Sequence, residues 1–287
     1  MIQNISIIGG DLRNAFLAQM LAKQERKIIL YGFESEKSIT QKDNIIKYYT
    51  LDETIKKTDF IISSIPFTKN NKYINMAFSD EKIEISKFFE KIKNKTLVAG
   101  NINQECMEVA EKNNIKIIDL MKIEELVIFN TIATAEATIK IAIEETTKTI
   151  FDSNVLVLGF GRVGKTVAER LYGLKANVYC EARKEEDIAW IKLYGYNAIL
   201  LKDLDNNIGK FDIIINTIPE KIIKKEQIEL IKKECLVIDL ASNPGGVDFE
   251  EAEKMKIKVI HALGLPGKIA PYTSAKFIKE IIEKIIK

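Results

Sequence analysis

Short apolar runs alternate along this chain with segments whose apolar residues recur at helical spacing. The runs Ile5–Ile8, Lys27–Tyr31 and Val155–Leu158 are rich in Ile, Val and Leu and carry few polar residues. Strands of this composition are typical of parallel sheets that are covered by helices on both faces, because both sides of each strand are then buried. The pattern therefore predicts an α/β fold.

The apolar runs form two series that are similar in order and in their flanking residues. A repeat that is about one domain long indicates two doubly wound domains rather than a solenoid of short units. We therefore predict two parallel-sheet, Rossmann-like domains joined by a long interdomain helix. The matching segments are Thr58–Pro66 with Lys210–Pro219, Thr96–Gly100 with Cys235–Asp239, and Asn114–Ile118 with Lys256–Ile260.

Three predicted helices define the domain boundaries. The first covers Leu12–Lys23, the second Glu124–Thr147, and the third, which is amphipathic, Thr273–Lys287. Ligands of two such domains are expected in a cleft at the carboxyl ends of the strands. The predicted parts are a substrate domain over 1–122, the interdomain helix within 123–150, a dinucleotide domain over 151–272, and a C-terminal helix over 273–287 that returns to the first domain.

Composition narrows the function classes. The 287 residues carry a formal net charge of +2, so no charge excess favours nucleic acid or an anionic membrane. Cys106, Cys180 and Cys235 lack metal-binding spacing, and we expect free thiols, no disulfide and no metal site. The chain shows no charged-then-apolar leader and no apolar run of about 20 residues, which predicts a cytoplasmic protein without a membrane segment.

The run Val155–Leu158 leads directly into a Gly-x-Gly-x-x-Gly sequence that opens the next helical segment. In this context Gly159 allows a tight turn, Gly161 lets the backbone approach a pyrophosphate, and Gly164 lets the helix pack closely on the strand. The pyrophosphate would bind the unpaired N–H groups at the positive end of that helix. A tight turn without a ligand is the alternative. The predicted dinucleotide contacts are Gly159, Phe160, Gly161, Arg162, Val163 and Gly164.

The next strand, Ala176–Arg183, bears on the choice of dinucleotide. NAD sites usually carry an acid at the end of this strand, about 20 residues beyond the glycines, where it binds the ribose 2′-hydroxyl. The register places Ala182 there, followed by Arg183 and Lys184, which suits the 2′-phosphate of NADP. A shift of one residue would make Glu181 the acid of an NAD site, although alternation points its side chain away from that of Ala182. NADP is therefore favoured over NAD, and a solvated loop cation is the alternative for Arg183.

Four loops bring polar groups or glycines to the ends of predicted strands. In a dinucleotide domain the loop after the fourth strand normally lies against the nicotinamide, and glycine loops let backbone N–H groups approach an anion. Ordinary turn chemistry is the alternative for each loop. The predicted cofactor contacts are Asn216, Thr217, Ile218, Pro219, Asp239, Leu240 and Ala241, and the predicted substrate contacts are Ser64, Pro66, Ser242, Gly245, Gly246, Gly264 and Pro266.

Taken together, these segments resemble the family of the dipicolinate synthase A subunit. The similarity covers the whole chain and is strongest from Asn154 onward. It departs from the family pattern at Ala137, where a glycine is expected, and before Gly264, where His261-Ala262-Leu263 stands in place of a segment with proline. The segments that carry the resemblance are Val155–Gly164, Asn216–Pro219, Asp239–Gly246, Gly264–Gly267, Ile8–Asp11 with Arg13, and Thr134–Glu136.

The resemblance implies a function. An enzyme of this family would use NADP to oxidise a dihydro- or hydroxytetrahydropyridine dicarboxylate, drawn from the diaminopimelate branch of lysine synthesis, to pyridine-2,6-dicarboxylate. It would work with a flavoprotein-like B subunit in the mother cell during sporulation. A homodimer is a further candidate for its assembly.

A dicarboxylate substrate needs cations or N–H donors. Arg13, beside the first glycine turn, is the candidate clamp because its planar fork matches a carboxylate, with a surface ion pair as the alternative. Asp11 is expected to cap the first helix, and orientation of Arg13 is its alternative role. Thr134 and Glu136 lie on the interdomain helix as a candidate substrate contact and a candidate base, against a surface position for Glu136.

His261 is the only histidine, and it follows a predicted strand near the place where 2-hydroxyacid dehydrogenases carry a catalytic histidine. Asp239 is the candidate carboxylate that would orient it, so Glu136, Asp239 and His261 are the catalytic candidates. A strand-end histidine bound to backbone is the alternative. Two other functions therefore stay open: a 2-hydroxyacid dehydrogenase that depends on His261, and a non-catalytic subunit that binds NADP and a flavoprotein.

Overall fold

Two units of similar size make up the chain. The structure is a computed structural model and describes residues 4–22, 26–39, 44–48 and 50–287. The first unit contains residues 1–130 and 270–287, and the second contains residues 131–269. The division between them falls inside the predicted interdomain helix, and the C-terminal helix belongs to the first unit.

Strands and helices alternate along both units. The first elements are β1 (Asn4–Ile8), α1 (Leu12–Leu21), β2 (Lys27–Tyr31), β3 (Ile45–Lys47), α2 (Leu51–Lys56), β4 (Phe60–Ile62), α3 (Ile85–Lys91), β5 (Thr96–Ala99), α4 (Gln104–Lys112), β6 (Lys116–Asp119) and α5 (Glu124–Glu145). They continue as β7 (Asn154–Leu158), α6 (Arg162–Gly173), β8 (Asn177–Ala182), α7 (Glu185–Leu193), β9 (Asn197–Leu200), β10 (Ile213–Asn216), α8 (Lys225–Leu230), β11 (Leu236–Asp239), α9 (Phe249–Lys254), β12 (Lys258–His261), α10 (Leu265–Ile269) and α11 (Pro271–Ile285).

Each unit is built on a sheet of six strands whose described pairs are all parallel. The strand order is β3-β2-β1-β4-β5-β6 in the first unit and β12-β11-β10-β7-β8-β9 in the second. The two orders correspond strand for strand, with β1 equivalent to β7 and β4 equivalent to β10. The prediction of two doubly wound, Rossmann-like sheets is confirmed. In such sheets ligands bind where the strand order reverses, which is between β1 and β4 and between β7 and β10.

The central strands are apolar on both faces because both faces are covered. In β7, Val155 and Val157 belong to one buried cluster, whereas Leu156 and Leu158 belong to another. Burial of an aliphatic side chain of this size contributes about 1.5–3 kcal/mol to stability, so apolar residues are favoured on both faces of the strand. This is why the strand is an uninterrupted apolar run in the sequence and shows no alternation.

Helix α5 has the composition of a core helix. Its Leu126 packs in the core of the first unit, and Ala135, Ala137 and Ala142 pack in the core of the second. Among the described residues it is the one helix long and apolar enough to cross a membrane by length and composition alone, although polar residues interrupt it. It ends at Glu145, short of the predicted end at Thr147.

Helix α11 packs along α1 in the first unit. Its buried face is mostly apolar, as expected of the predicted amphipathic helix. Pro271 stands in the first turn, where the backbone N–H groups have no acceptor within the helix. The predicted extension of α1 to Lys23 lies outside the described residues. The buried residues of α11 are Ser274, Ala275, Ile278, Ile281 and Ile282.

Candidate functional site

The turn between β7 and α6 in the second unit depends on two glycines. Gly159 has a φ of +90°, a left-handed conformation that glycine adopts without strain. A Cβ on Gly164 would lie 2.0 Å from the carbonyl oxygen of Gly159, so only glycine lets α6 approach the strand this closely. The conformational roles predicted for the first and third glycines are confirmed.

The middle glycine leaves open space at the start of α6. Apart from Gly161 itself and its chain neighbours, no described residue would have a heavy atom within 4 Å of a Cβ on Gly161. Gly161 is the N-cap of α6 and offers no side chain to the first N–H groups of the helix. Unpaired N–H groups at the positive end of a helix, next to open space, are a place where a phosphate can bind. Around this turn Phe160 is buried, Val163 is half-buried and Arg162 is exposed.

The equivalent turn between β1 and α1 in the first unit is filled by the chain itself. A Cβ on Gly9 would lie 2.6 Å from Cγ of Met76, and a Cβ on Gly10 would lie 2.2 Å from Cγ of Asn14. Asp11 caps α1 by accepting the N–H of Arg13 at 3.0 Å, at the position where α6 has Gly161. This carboxylate would repel a phosphate, so the first unit has neither the space nor the charge for a pyrophosphate at this turn.

Two exposed cations follow the end of β8. The guanidinium of Arg183 lies 2.7 Å from Oε2 of Glu220, which belongs to the loop after β10. This hydrogen bond raises the pKa of Arg183. Lys184 pairs with Glu186 at 3.3 Å. The last residue of β8 is the buried Ala182. The strand therefore ends without an acid at the position where NAD sites usually carry one.

Glu181 is fully buried one residue before that position. Its Cα partners in the neighbouring strands, Leu158 and Ile199, belong to the cluster on the face opposite to Ala182, as alternation predicts. Its Oε2 accepts the N–H of Gly159 at 3.2 Å, and its buried Oε1 has no hydrogen-bond partner among the described residues. Burial raises the pKa of this carboxyl, against the opposing effects of the Gly159 N–H and Arg183.

We predict that Glu181 makes the stability of the protein depend on pH. Because the pKa is raised in the folded state, the contribution of this carboxyl is fully present below its ordinary value near 4.5 and is lost as the pH rises through the folded-state value. Glu181→Gln keeps the shape but cannot ionise. As the pH rises from about 4.5 through the folded-state value, the melting temperature of the wild type should therefore fall relative to that of Glu181→Gln. Glu186→Gln, which alters an exposed carboxylate, serves as the control, and a pH-independent difference between Glu181→Gln and wild type would contradict the prediction.

The loop after β10 is shaped by its own polar side chains. Asn216 is buried, and its Nδ2 donates to the carbonyl of Ile218 at 3.0 Å and to Oδ1 of Asp239 at 2.8 Å. The hydroxyl of Thr217 donates to the carbonyl of Leu158 at 2.8 Å. These side chains hold the loop in place beside Gly159, and a ligand at the turn would meet the loop backbone with Ile218 and the exposed Pro219.

Asp239 holds the loop after β11. It is fully buried, and its Oδ1 accepts the N–H of Ala241 at 3.0 Å, while its Oδ2 accepts the N–H of Gly246 at 2.8 Å. A Cβ on Gly245 would lie 2.6 Å from Oδ2 of Asp239, and one on Gly246 would lie 2.1 Å from Nδ2 of Asn216. Both carboxylate oxygens are therefore engaged inside the loop, which gives Asp239 a structural task.

His261 contacts backbone rather than the expected carboxylate. Its Nε2 lies 2.9 Å from the carbonyl oxygen of Ala241, so this nitrogen is the donor, and its ring packs against Phe249. Asp239 is its Cα partner in the adjacent strand, but the hydrogen bonds described for the Asp239 carboxylate all go to other donors. The His–carboxylate pair that a 2-hydroxyacid dehydrogenase would need is not formed between these two side chains.

The first unit has an equivalent of His261. Asp119 ends β6 as His261 ends β12, and its carboxylate accepts the N–H groups of Asn101 and Ile102 at 2.9 and 3.1 Å. In both units the last residue of the sixth strand thus holds the loop that follows the fifth strand. This shared arrangement favours the structural explanation for His261.

Arg13 lies at the start of α1 with 11% of its side chain exposed. Its Nε and Nη2 donate to the carboxylate of Asp11, with Nη2 2.7 Å from Oδ2, and Nη2 also donates to the carbonyl of Ile65. Asp11 therefore both caps the helix and orients Arg13, so the two roles that the sequence left open are combined. Among the described residues, no acceptor is seen for Nη1 of this fixed guanidinium.

The other candidates differ in exposure. Ser64 is fully buried and donates its hydroxyl to the carbonyl of Phe67 at 3.1 Å, so this group is engaged inside the first unit. The roles of the remaining candidates stay predictions. Glu136, Ser242 and Gly264 are exposed, Pro66, Thr134, Leu240 and Pro266 are half-buried, and Ala241 is buried.

Sequence reasoning missed two features of these sites. Met76 fills the first glycine turn from a segment without helical or strand periodicity. No motif in that segment predicts its contact with Gly9. Glu220 pairs with Arg183 across two loops, and its only signal in the sequence is its position directly after Pro219.

Comparison with known proteins gives two matches to family models. Residues 4–121 match the N-terminal domain of the dipicolinate synthase A subunit, and residues 130–247 match the NAD-binding domain of D-isomer specific 2-hydroxyacid dehydrogenases. Together these two matches cover most of the chain.

Individual relatives match the chain over different lengths. The dipicolinate synthase A subunit of Bacillus subtilis (strain 168) is 32% identical over 285 residues, which are 98% of this chain and 95% of the relative. The crystal structure of the dipicolinate synthase A subunit from Bacillus halodurans has a TM-score of 0.90 and 32% identity, and covers 99% of this chain and 97% of that chain. A shikimate dehydrogenase (NADP(+)) of Methanococcus maripaludis is 31% identical over 140 residues, which are 44% of this chain and 50% of that relative.

Proposed function

Because this chain belongs to the family of the dipicolinate synthase A subunit, we propose that it oxidises a dihydro- or hydroxytetrahydrodipicolinate to pyridine-2,6-dicarboxylate with NADP. Its NAD-binding domain of the dehydrogenase type makes it an NAD(P)-dependent oxidoreductase. Beyond that activity, we propose the identity of the substrate, NADP as the dinucleotide, and a partner protein.

The observation that carries the proposal is the open glycine turn of the second unit. Gly161 leaves space at an uncapped helix end, whereas the equivalent turn of the first unit is filled by Met76 and capped by Asp11. Two helix ends of the same fold thus differ in the two properties that a pyrophosphate requires, which are room and unpaired donors. The second unit is therefore the one that would hold the dinucleotide, through residues 159–164 and the loop after β10.

The end of β8 supports NADP over NAD. Ala182 supplies no acid for a ribose 2′-hydroxyl, and Arg183 and Lys184 are exposed cations that suit a 2′-phosphate. Methanococcus shikimate dehydrogenases that resemble this chain are named for NADP(+), which supports the same choice. Glu181 does not replace the missing acid, because its carboxylate is buried beneath Gly159.

The proposed chemistry balances without another reactant. A dihydrodipicolinate loses one hydride and one proton to become the aromatic diacid, and a hydroxytetrahydro substrate first loses water. When bound, NADP supplies the hydride acceptor. Arg13 binds one substrate carboxylate, since its guanidinium is already oriented by Asp11 and Ile65 and no described residue accepts a hydrogen bond from its Nη1.

Proton removal needs little help in this reaction, because formation of the aromatic ring supplies much of the driving force. Glu136 is exposed on α5 and is the proposed base. Asp239 and His261 are not assigned this role, because Asp239 holds a loop with both oxygens and His261 donates to a backbone carbonyl.

The assembly and the cellular setting complete the proposal. Relatives named for one lettered component of dipicolinate synthase imply an enzyme of several different chains, and we propose that the partner is a flavoprotein-like B subunit. The reaction would take place in the cytoplasm of the mother cell of a sporulating bacterium. A homodimer of this chain is compatible with the same activity.

Gly161→Ala is expected to fold normally and to bind NADP at least about 10-fold more weakly, because the added methyl enters space that only a ligand would use. The stability cost should stay near the few tenths to 1 kcal/mol that alanine costs at an N-cap. Calorimetric titration with NADP, together with thermal unfolding, measures both quantities. Gly173→Ala, where the methyl also meets open space but at the other end of α6, is the matched control. Unchanged NADP affinity in Gly161→Ala would argue against a pyrophosphate at this turn.

The activity itself is tested with freshly generated hydroxytetrahydrodipicolinate and NADP, in the presence and absence of the B subunit. NADPH fluorescence and the absorbance of pyridine dicarboxylate should rise together, and their dependence on the partner locates the dehydration step. NADP binding without product in either sample would refute the catalytic proposal and leave a dinucleotide-binding protein without chemistry of its own.

A further inference from the structure

The ion pair between Arg183 and Glu220 lies at the mouth of the proposed dinucleotide site. Arg183 follows the last residue of β8, and Glu220 follows Pro219 in the loop after β10, so the pair joins the two segments that flank the glycine turn. Gly159 touches both segments, because its N–H donates to Glu181 and its Cα faces Thr217 and Ile218. The guanidinium expected to receive a 2′-phosphate is therefore already bound to a carboxylate.

Both ends of the pair are anchored. Glu220 comes from a loop that Asn216 and Thr217 fix through partly buried hydrogen bonds. Arg183 directly follows Ala182, which is buried in the core of the second unit. The backbone on both sides of the pair is therefore held in place. The 2.7 Å contact can open only by movement of the two side chains themselves.

We propose that Glu220 is a specificity-determining residue that competes with the 2′-phosphate of NADP for Arg183 and so lowers the preference of the site for NADP over NAD. The inference rests on the proposed dinucleotide site in the second unit. A 2′-phosphate must displace the carboxylate of Glu220 from the guanidinium and is also repelled by that carboxylate. A 2′-hydroxyl need not displace the carboxylate and carries no charge for it to repel.

The surroundings allow this exchange. The side chains of Arg183 and Glu220 are 52% and 68% exposed, so the pair can open without unpacking the core. Exposed pairs of this kind are weak, which makes displacement by a doubly charged phosphate feasible and sets the scale of the effect. Glu144 pairs with Lys140 on α5 in the same unit, away from the proposed dinucleotide contacts, and provides a control with equal charge and similar exposure.

The test compares NADP and NAD affinities of wild type, Glu220→Gln and the control Glu144→Gln by calorimetric titration at low and high salt. Glu220→Gln should bind NADP about 3- to 5-fold more tightly, the fold-change expected for release of one exposed ion pair, with NAD affinity unchanged. The gain should shrink at high salt, because both charges are exposed. In an Arg183→Ala background the same Glu220→Gln change should give a smaller gain in NADP affinity, because only the repulsion between Glu220 and the 2′-phosphate is then removed.

The outcomes separate this inference from the proposed function. An unchanged or lower NADP affinity in Glu220→Gln overturns the inference, and so does an equal gain for NAD or in Glu144→Gln, which would indicate net charge alone. In each of these cases wild type still binds dinucleotide and the proposed function stands. Wild type that binds neither NADP nor NAD overturns both.

Discussion

Gly159→Ala is expected to weaken NADP binding about 100-fold or more and to lower the melting temperature of the protein. Alanine at a φ of +90° is strained, at a cost of about 1–3 kcal/mol. Its methyl would also lie 2.7 Å from Oγ1 of Thr217 and 2.8 Å from Cγ1 of Ile218, both in the loop after β10. The turn must therefore move, and the N–H groups that would face a pyrophosphate move with it. Loss of two charge-assisted hydrogen bonds, about 3 kcal/mol together, corresponds to this loss of affinity.

Calorimetric titration of NADP and thermal unfolding measure the two effects of Gly159→Ala. The expected fall in melting temperature is about 5 °C, from the strain and the usual sensitivity of domains of this size. The titration is done well below that temperature so that folded protein is compared. Gly173→Ala is the control at a helical position without close neighbours, and it should change neither quantity appreciably. An NADP affinity of Gly159→Ala near that of wild type would refute the assignment of this turn.

Arg13→Lys is expected to reduce kcat/KM for the dicarboxylate substrate about 10- to 100-fold. Lysine keeps the charge but loses the planar guanidinium that binds Asp11 through Nε and Nη2 and would present Nη1 to a substrate carboxylate. One charge-assisted hydrogen bond from Nη1 to the substrate, at about 1.5–3 kcal/mol with partial compensation by lysine, gives this range. The loss should appear mainly in KM if Arg13 binds substrate and transition state equally.

A role in substrate binding is separated from a structural role by two further readouts. NADP affinity of Arg13→Lys should equal that of wild type, because the proposed dinucleotide site is in the second unit. Arg26→Lys is the matched control, since Arg26 pairs with Glu283 elsewhere in the first unit and the change in chemistry is identical. If Arg13→Lys retained wild-type kcat/KM, or if Arg26→Lys lost as much, the assignment of Arg13 as a carboxylate clamp would be wrong.

The sequence predicted the features that depend on local geometry. The two sheets follow from apolar runs of strand length, and the tasks of Gly159 and Gly164 follow from their positions between a strand and a helix. In each case the cause lies within a few residues of the effect along the chain.

Features that depend on distant parts of the chain could not be predicted. Met76 reaches Gly9 from a segment of irregular structure, so nothing near the first glycine turn indicated that it is filled. A polar residue at a strand end can face a ligand or hold its own loop, and the sequence is the same in both cases. Asp239 and His261 were candidates for catalysis on this ground, and their hydrogen bonds to loop backbone became visible only in three dimensions.

Asn216, Asp239, Gly245 and Gly246 can change in evolution only as a set. Side chains added at either glycine would collide with Asp239 or Asn216, and loss of either polar side chain would leave the buried partner groups of the other without hydrogen bonds. The four positions are thus epistatic: the effect of a substitution at one depends on the residues at the other three. Dehydrogenases acquire new substrates by variation of such loops. Here a viable change must alter the ends of β10 and β11 and the loop after β11 together.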